Sequence, residues 1–173
     1  EKKNFTMRYS STIPNRLGLA GSSAIITAAM RAMCEFYHIR LAPAILANIV
    51  LSTERDELGI PAGLQDRVAQ AYNIPVYMDF DASYMNEHGI GRYEAIEIPD
   101  GLNLYVANAV SEKNRRMVEL ARSVGASAKF TGSGGAIIGT YEDEKMFRRL
   151  ADVLRNERID VIKPEIVTSG EIR

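Results

Sequence analysis

The run Pro14-Asn15-Arg16-Leu17-Gly18-Leu19-Ala20-Gly21-Ser22-Ser23-Ala24 joins glycine freedom to two adjacent hydroxyls at the point where a helical periodicity begins. The first N–H groups of a helix have no intrahelical acceptor, and glycines let a ligand approach the backbone closely, so the segment is suited to an anion, a phosphate above all. The helix macrodipole adds roughly half a positive charge at the same place. No Gly-Lys-Ser/Thr closes the loop, and its glycines lack the spacing of a dinucleotide fingerprint. A capped helix after a tight turn uses the same residue types.

Two further segments could do chemistry. In Thr53-Glu54-Arg55-Asp56-Glu57-Leu58-Gly59-Ile60-Pro61-Ala62-Gly63-Leu64-Gln65-Asp66-Arg67, the glycines and proline let the chain reverse. Glu54 near the end of one helix and Asp66 in the first turn of the next can then point into one site, where two carboxylates hold Mg²⁺ and take a proton from a hydroxyl. Helix-terminal charge compensation for Asp66 and a solvated face for Glu54 are the structural alternatives. In Lys129-Phe130-Thr131-Gly132-Ser133-Gly134-Gly135-Ala136, glycines and hydroxyls in a turn between strands present N–H groups to a phosphate or substrate, or simply make a hairpin turn.

The elements that must position these groups can be read from periodicity. Phe5 to Ile13 is rich in aromatic and β-branched residues and reads as a strand stopped by Pro14. A helix follows, capped by Ser22 or Ser23, with Ile25, Ala28, Ala29, Ala32, Met33 and Phe36 on its apolar face. A second helix starts near Pro43 and reaches about Glu57, and a short one runs from Gly63 to Tyr72. Val76 to Phe80 alternates as a strand, and the polar stretch Asp81 to Gly91 reads as a loop holding a domain boundary between residues 88 and 89. Beyond it, strands at Tyr93–Ile98 and Leu102–Val110, a helix through Met117, Leu120 and Val124, and two strands split by the glycine turn are expected. A helix through Met146, Leu150 and Leu154 and a last strand over Ile159–Val167 complete a ββαββαβ order, a split α+β sandwich of the ferredoxin-like kind.

Composition narrows the setting. With 46% hydrophobic residues in 173 and a formal net charge of −1, the chain has an ordinary globular balance and no basic footprint for nucleic acid. No apolar run is long enough to span a bilayer, so no membrane partner and a cytoplasmic location are expected. Cys34 sits among apolar residues and reads as a small buried side chain, and His38 and His88 lack the cysteine partners of a usual zinc site.

Together, Pro14 with Gly-Leu-Ala-Gly-Ser-Ser-Ala, then Glu54 followed by Gly59, Pro61, Gly63 and Asp66, then Lys-Phe-Thr-Gly-Ser-Gly-Gly, resemble the GHMP small-molecule kinases in motif and order. The Asn-Phe-Thr-Met-Arg-Tyr segment, Ala-Gly-Leu-Gln-Asp-Arg-Val-Ala-Gln and Val-Gly-Ala-Ser-Ala-Lys-Phe-Thr-Gly-Ser-Gly-Gly look most like the glucuronokinase branch. The resemblance implies an α+β GHMP kinase-like fold: a truncated ribosomal-protein-S5-type β/α part over 1–88, then a ferredoxin-like part over 89–173. It implies that Gly18, Leu19, Ala20, Gly21, Ser22, Ser23 and Ala24 wrap the phosphates of ATP. It also implies that Ser22 or Ser23 and Glu54 reach Mg²⁺, that Asp66 lies beside the acceptor hydroxyl, and that Thr131, Gly132, Ser133 and Gly134 border the substrate. A sugar hydroxyl, C1 of D-glucuronate on the closest likeness, is the implied acceptor, and Arg67 or Arg16 would meet a substrate carboxylate.

The chain departs from the family in two ways. The family's Pro-Gly-Arg-Val/Ala-Asn-Leu-like first motif is not in it, and the connection through Ser111 to Arg116 is short. A second expectation follows: a catalytically incomplete scaffold or binding module whose partner is a second copy of the chain or an N-terminal half.

Overall fold

A computed structural model describes residues 4–14, 18–99, 101–109, 114–132 and 135–166. The contacts divide the chain into two compact units, Glu1–Thr12 with Ala20–Ile98, and Ile13–Leu19 with Pro99–Arg173.

The first unit contains α1 (Gly21–Phe36), α2 (Pro43–Ser52), α3 (Leu64–Tyr72), β1 (Val76–Asp79), α4 (Ala82–His88) and β2 (Arg92–Ala95). Pro43 occupies the start of α2, where its missing N–H has no partner to lose. Leu46, Ala47 and Val50 of α2 bury themselves against Val68 and Ala71 of α3, with Ile26 and Met30 of α1 packed alongside. That cluster fixes the three helices that carry the candidate site.

Several expectations are corrected here. Residues 5–12 form no strand, because a strand needs a ladder partner and composition does not supply one. Instead Phe5 packs its ring on Phe36 and Tyr37, and Phe5, Thr6 and Met7 line a groove with Ala32, Met33 and Phe36. The deepest residues of α1 are consequently Ser23 and Thr27, one turn apart, and not the apolar row. The polar stretch expected as a loop contains α4, whose first turn is capped by Asp81 accepting from the Tyr84 N–H at 2.9 Å. The strand expected over Tyr93–Ile98 is β2, which pairs antiparallel with β1, Val76 facing Ala95 and Asp79 facing Arg92. The first unit thus runs to Ile98, past the 88/89 boundary that the polar stretch suggests.

The second unit contains β3 (Leu104–Asn108), α5 (Asn114–Ser123), β4 (Lys129–Phe130), β5 (Ala136–Thr140), α6 (Glu144–Arg155) and β6 (Asp160–Ile162). Its strands form one antiparallel sheet in the order β4-β5-β3-β6. Met117 and Ala121 of α5 and Met146, Leu150 and Leu154 of α6 bury against Tyr105, Ala107 and Ile137 of the sheet. Asp143 caps α6 by accepting from the Met146 N–H at 2.7 Å.

Tyr105 and Gly139 face each other across β3 and β5. The tyrosine hydroxyl reaches past the glycine to donate to the Ser127 carbonyl at 2.7 Å. A Cβ at position 139 would lie 1.9 Å from that carbonyl oxygen and 2.8 Å from the Tyr105 ring. Gly139→Ala is therefore expected to destabilise this unit by at least about 1–3 kcal/mol, read as a lower urea midpoint. An unchanged midpoint would show that the sheet yields there.

Burial pushes the Tyr105 phenol up to about 12. Between pH 10 and the folded value, the unfolded tyrosine ionises while the folded one stays neutral, so stability is full below about pH 10 and falls as pH rises through about 12. A urea midpoint that declines over that window in the wild type, and declines less in Tyr105→Phe, is the expected result.

Candidate functional site

The chain enters α1 through an unusual backbone. Gly18 has φ 67°, and the N-cap residue is Ala20, left-handed at φ 54°, ψ 36°. An alanine in that region costs on the order of 1 kcal/mol or more and needs its surroundings to hold it. The Ala20 carbonyl does so by accepting from the Ala24 N–H at 3.1 Å, the Ser23 hydroxyl at 3.0 Å and Gln70 Nε2 of α3 at 3.1 Å.

The serine caps expected from the sequence are not made, and no side chain caps α1. Ser23 is buried and turned back on Ala20, whereas Ser22 donates across to Glu54 Oε1 at 2.6 Å. The first-turn N–H groups of a 16-residue helix are left without a side-chain cap, in the geometry that receives an anion.

Glu54 reaches Ser22 from the end of α2. It continues the buried row of Leu46 and Val50 at four-residue spacing, and its side chain is 0% exposed. Thr53–Glu57 is a wide π-helical turn, with the Leu58 N–H bonded to the Thr53 carbonyl and the Ile60 N–H to that of Glu54. Thr53 Oγ1 donates back to Ile49, a bond that bends helices, and Gly59 at φ 64° ends the turn. Such turns recur at functional sites because they re-aim a side chain.

α3 supplies the partner. Arg67 lies on its buried row with Ala71 and is 7% exposed. Its Nε and a terminal nitrogen both meet Glu54 Oε2 at 2.5 Å, and its other terminal nitrogen donates to the Gly63 carbonyl at 3.0 Å and meets Asp66 Oδ2 at 3.3 Å. The guanidinium is therefore an internal partner of Glu54, not the solvent-facing group that a substrate carboxylate would need. Asp66, in the first turn of α3, has a 51% exposed side chain.

In the second unit, Thr131 Oγ1 donates to the Gly18 carbonyl at 3.3 Å, and a Cβ on Gly132 would sit 3.5 Å from the same oxygen. The turn residues thus brace the start of the loop. Ser133 and Gly134 lie outside the described residues, as does Arg16.

The site combines Ser22, Glu54, Arg67 and Asp66 beside one uncapped helix start. Among the described residues, no group of three or more His, Cys, Asp or Glu side chains is arranged to hold a metal ion. Ser22 Oγ and Glu54 Oε1 nonetheless offer two oxygens 2.6 Å apart, which fits a hard cation that takes its remaining ligands from phosphate and water. Sequence reasoning missed Gln70 as the brace of Ala20 and Arg67 as the clamp of Glu54. Their position on the α3 row that ends in Ala71 was the available signal. No helix among the described residues is long and apolar enough to cross a membrane.

Comparison with known proteins adds four likenesses. Residues 1–73 match the family model of the GHMP kinases N terminal domain. The chain is 32% identical to glucuronokinase 1 of Arabidopsis thaliana over 206 residues, covering 78% of this chain and 57% of that protein. It is 31% identical to probable glucuronokinase 2 of the same plant, again spanning 57% of its length. The 206 aligned positions exceed the 173 residues of the whole chain, so the relative carries residues within the aligned stretch that this chain lacks. Among solved structures, the fold resembles L. major mevalonate kinase in complex with R-mevalonate, with a TM-score of 0.61 at 15% identity, over 86% of this chain and 67% of that one.

Proposed function

We propose that the chain, whose residues 1–73 match the family model of the GHMP kinases N terminal domain, is a kinase of that kind and transfers the γ-phosphate of ATP to a sugar hydroxyl, C1 of D-glucuronate. The observation that carries this reading is the Ser22–Glu54 hydrogen bond at an uncapped helix N-terminus, which joins a phosphate cradle to a carboxylate 32 residues away. The identity to two glucuronokinases supports the choice of sugar. On the same reading the βαββαβ order of the second unit is ferredoxin-like and the setting is cytoplasmic.

Each group has a role set by its environment. The N–H groups of Gly18 to Ala24 hold the phosphate oxygens, and the macrodipole of α1 favours their charge. Ser22 Oγ and Glu54 Oε1 would hold Mg²⁺, which when bound neutralises charge on the transferring phosphoryl group. Asp66, exposed and 3.3 Å from the Arg67 guanidinium that holds Glu54, accepts the proton of the sugar hydroxyl or orients it. The resemblance assigns Thr131, Gly132, Ser133 and Gly134 to the border of the sugar, and Thr131 Oγ1 donates to the Gly18 carbonyl. Phosphoryl transfer asks the protein mainly for alignment and charge, which this set supplies.

Incubating the chain with Mg·ATP and a panel of free sugars tests the reading. ADP release should be fastest with D-glucuronate, by at least about tenfold over glucose, with Arg16, the candidate that remains from the sequence once Arg67 is taken up by Glu54, meeting the carboxylate. Faster release with a neutral sugar would move the assignment to another kinase substrate. The residues that the relative carries inside the aligned stretch and this chain lacks favour a second reading, a binding module without turnover. It is selected if nucleotide binds and no sugar stimulates ADP release.

A further inference from the structure

The Glu54 carboxylate is divided between two partners. Oε1 takes the Ser22 hydroxyl, and Oε2 is occupied by two nitrogens of Arg67. Both side chains are buried, and Arg67 is held in place by the Gly63 carbonyl as well as by Asp66. Nothing in an anion cradle requires such a clamp, and burying a charged pair carries a desolvation penalty that packed apolar residues would not.

We propose that Arg67 selects the metal at this site: by filling Glu54 Oε2 it leaves one carboxylate oxygen for a cation, so that a small octahedral ion delivered with a nucleotide is accepted and Ca²⁺ or a free ion is disfavoured. The inference rests on the phosphoryl-transfer reading above. Two physical arguments support it. Ca²⁺ takes six to eight oxygens and often grips a carboxylate through both of its own, whereas Mg²⁺ keeps near-octahedral geometry with one or two carboxylates, waters and phosphates. With Oε2 held by two donors, Glu54 offers the one-oxygen grip that suits the smaller ion. The second argument is charge. A guanidinium does not lose its proton in a protein, so a cation at Oε1 always meets a fixed positive charge across the same carboxylate. Nucleotide phosphates offset that repulsion, and a free ion has nothing to offset it with. Arg67 touches neither metal nor phosphate on this account. It is a positioning residue that acts through Glu54.

The test is a titration of the 173-residue chain with Mn²⁺, followed by electron paramagnetic resonance of the unbound ion, and with Ca²⁺ by calorimetry, each with and without ATPγS. The wild type should bind free Mn²⁺ weakly and bind it at least about tenfold more tightly with ATPγS, with Ca²⁺ lagging. In Arg67→Gln the charge is gone and one donor remains. Free Mn²⁺ affinity should rise about tenfold and Ca²⁺ affinity more, so discrimination between the ions shrinks. Arg67→Lys keeps the charge but sets one nitrogen where two stood, so free Mn²⁺ stays weak while Ca²⁺ gains severalfold. That second variant decides the matter if Arg67→Gln does not fold. A folded Arg67→Gln whose free Mn²⁺ and Ca²⁺ affinities are unchanged or lower, or a folded Arg67→Lys whose Ca²⁺ affinity does not rise, would overturn the proposal and leave Arg67 a structural residue. Failure of the wild type to bind ATPγS would instead contradict the phosphoryl-transfer reading, and the nucleotide-free Mn²⁺ comparison would still report on the clamp.

Discussion

Asp66→Asn is expected to lower turnover about a hundred- to ten-thousandfold, the range for losing a positioned acid–base group, while the chain unfolds at nearly the same urea concentration. The substitution keeps the side chain's shape and removes its charge. Its structural contacts are slight: a 51% exposed side chain, one 3.3 Å approach to Arg67 and a place in the first turn of α3. Losing a favourable charge at an exposed helix start costs roughly 0.3–1 kcal/mol, too little to unfold the unit. Steady-state ADP release with sugar, paired with urea unfolding, separates the two effects. A variant that keeps full turnover would remove Asp66 from the chemistry. One that loses turnover and stability together would make it a structural residue.

Glu54→Met and Arg67→Met should each destabilise the first unit by about 3–5 kcal/mol, because each leaves a buried charge without its partner. Glu54 is fully buried and Arg67 nearly so, and neither can reach water without repacking α2 against α3. The double variant should recover most of the loss, since replacing both charges with apolar side chains of similar volume is often neutral or stabilising. A double-mutant cycle on urea midpoints measures the coupling. Additive losses would mean that the two side chains do not act as a pair in solution. The double variant also predicts a dissociation of properties: a well-folded chain without the Glu54 carboxylate, and so without the oxygen that the π-helical turn offers a metal.

These outcomes depend on features that the sequence displays unequally. The glycine-serine segment announces a phosphate cradle because glycines and a helix start are local signals. The helical spacing of Leu46 and Val50 extends to Glu54, so its burial was legible in the i, i+4 row, although a carboxylate there reads first as a solvated face. The π-helical turn that aims it has no compositional signature. Ala20 is a harder case: nothing about an alanine signals a left-handed N-cap, which exists because Ser23, Ala24 and Gln70 converge on its carbonyl. Arg67 and the half-buried Gln70 escape a search for apolar periodicity because both side chains are polar, although Arg67 is buried on the same row as Ala71.

The fold shows the same division. α3 and α6 were evident from spacing and breakers, whereas Phe5 to Ile13 has strand composition without a ladder to join. α4 was hidden by its polarity, and its one clear mark was Asp81 three residues ahead of the N–H it caps. Pairing of β2 with β1 rather than with the later sheet is long-range information that no window contains.

On the proposed function, the helix start at Ser22 and the carboxylate of Glu54 together receive a metal-bound triphosphate. Calorimetric titration of the chain with ATPγS, with and without Mg²⁺, tests it most directly. Saturable binding that strengthens with Mg²⁺ and is lost in Ser22→Ala combined with Glu54→Gln is the predicted result. No heat of binding at millimolar nucleotide, or binding indifferent to both Mg²⁺ and that double substitution, would contradict it.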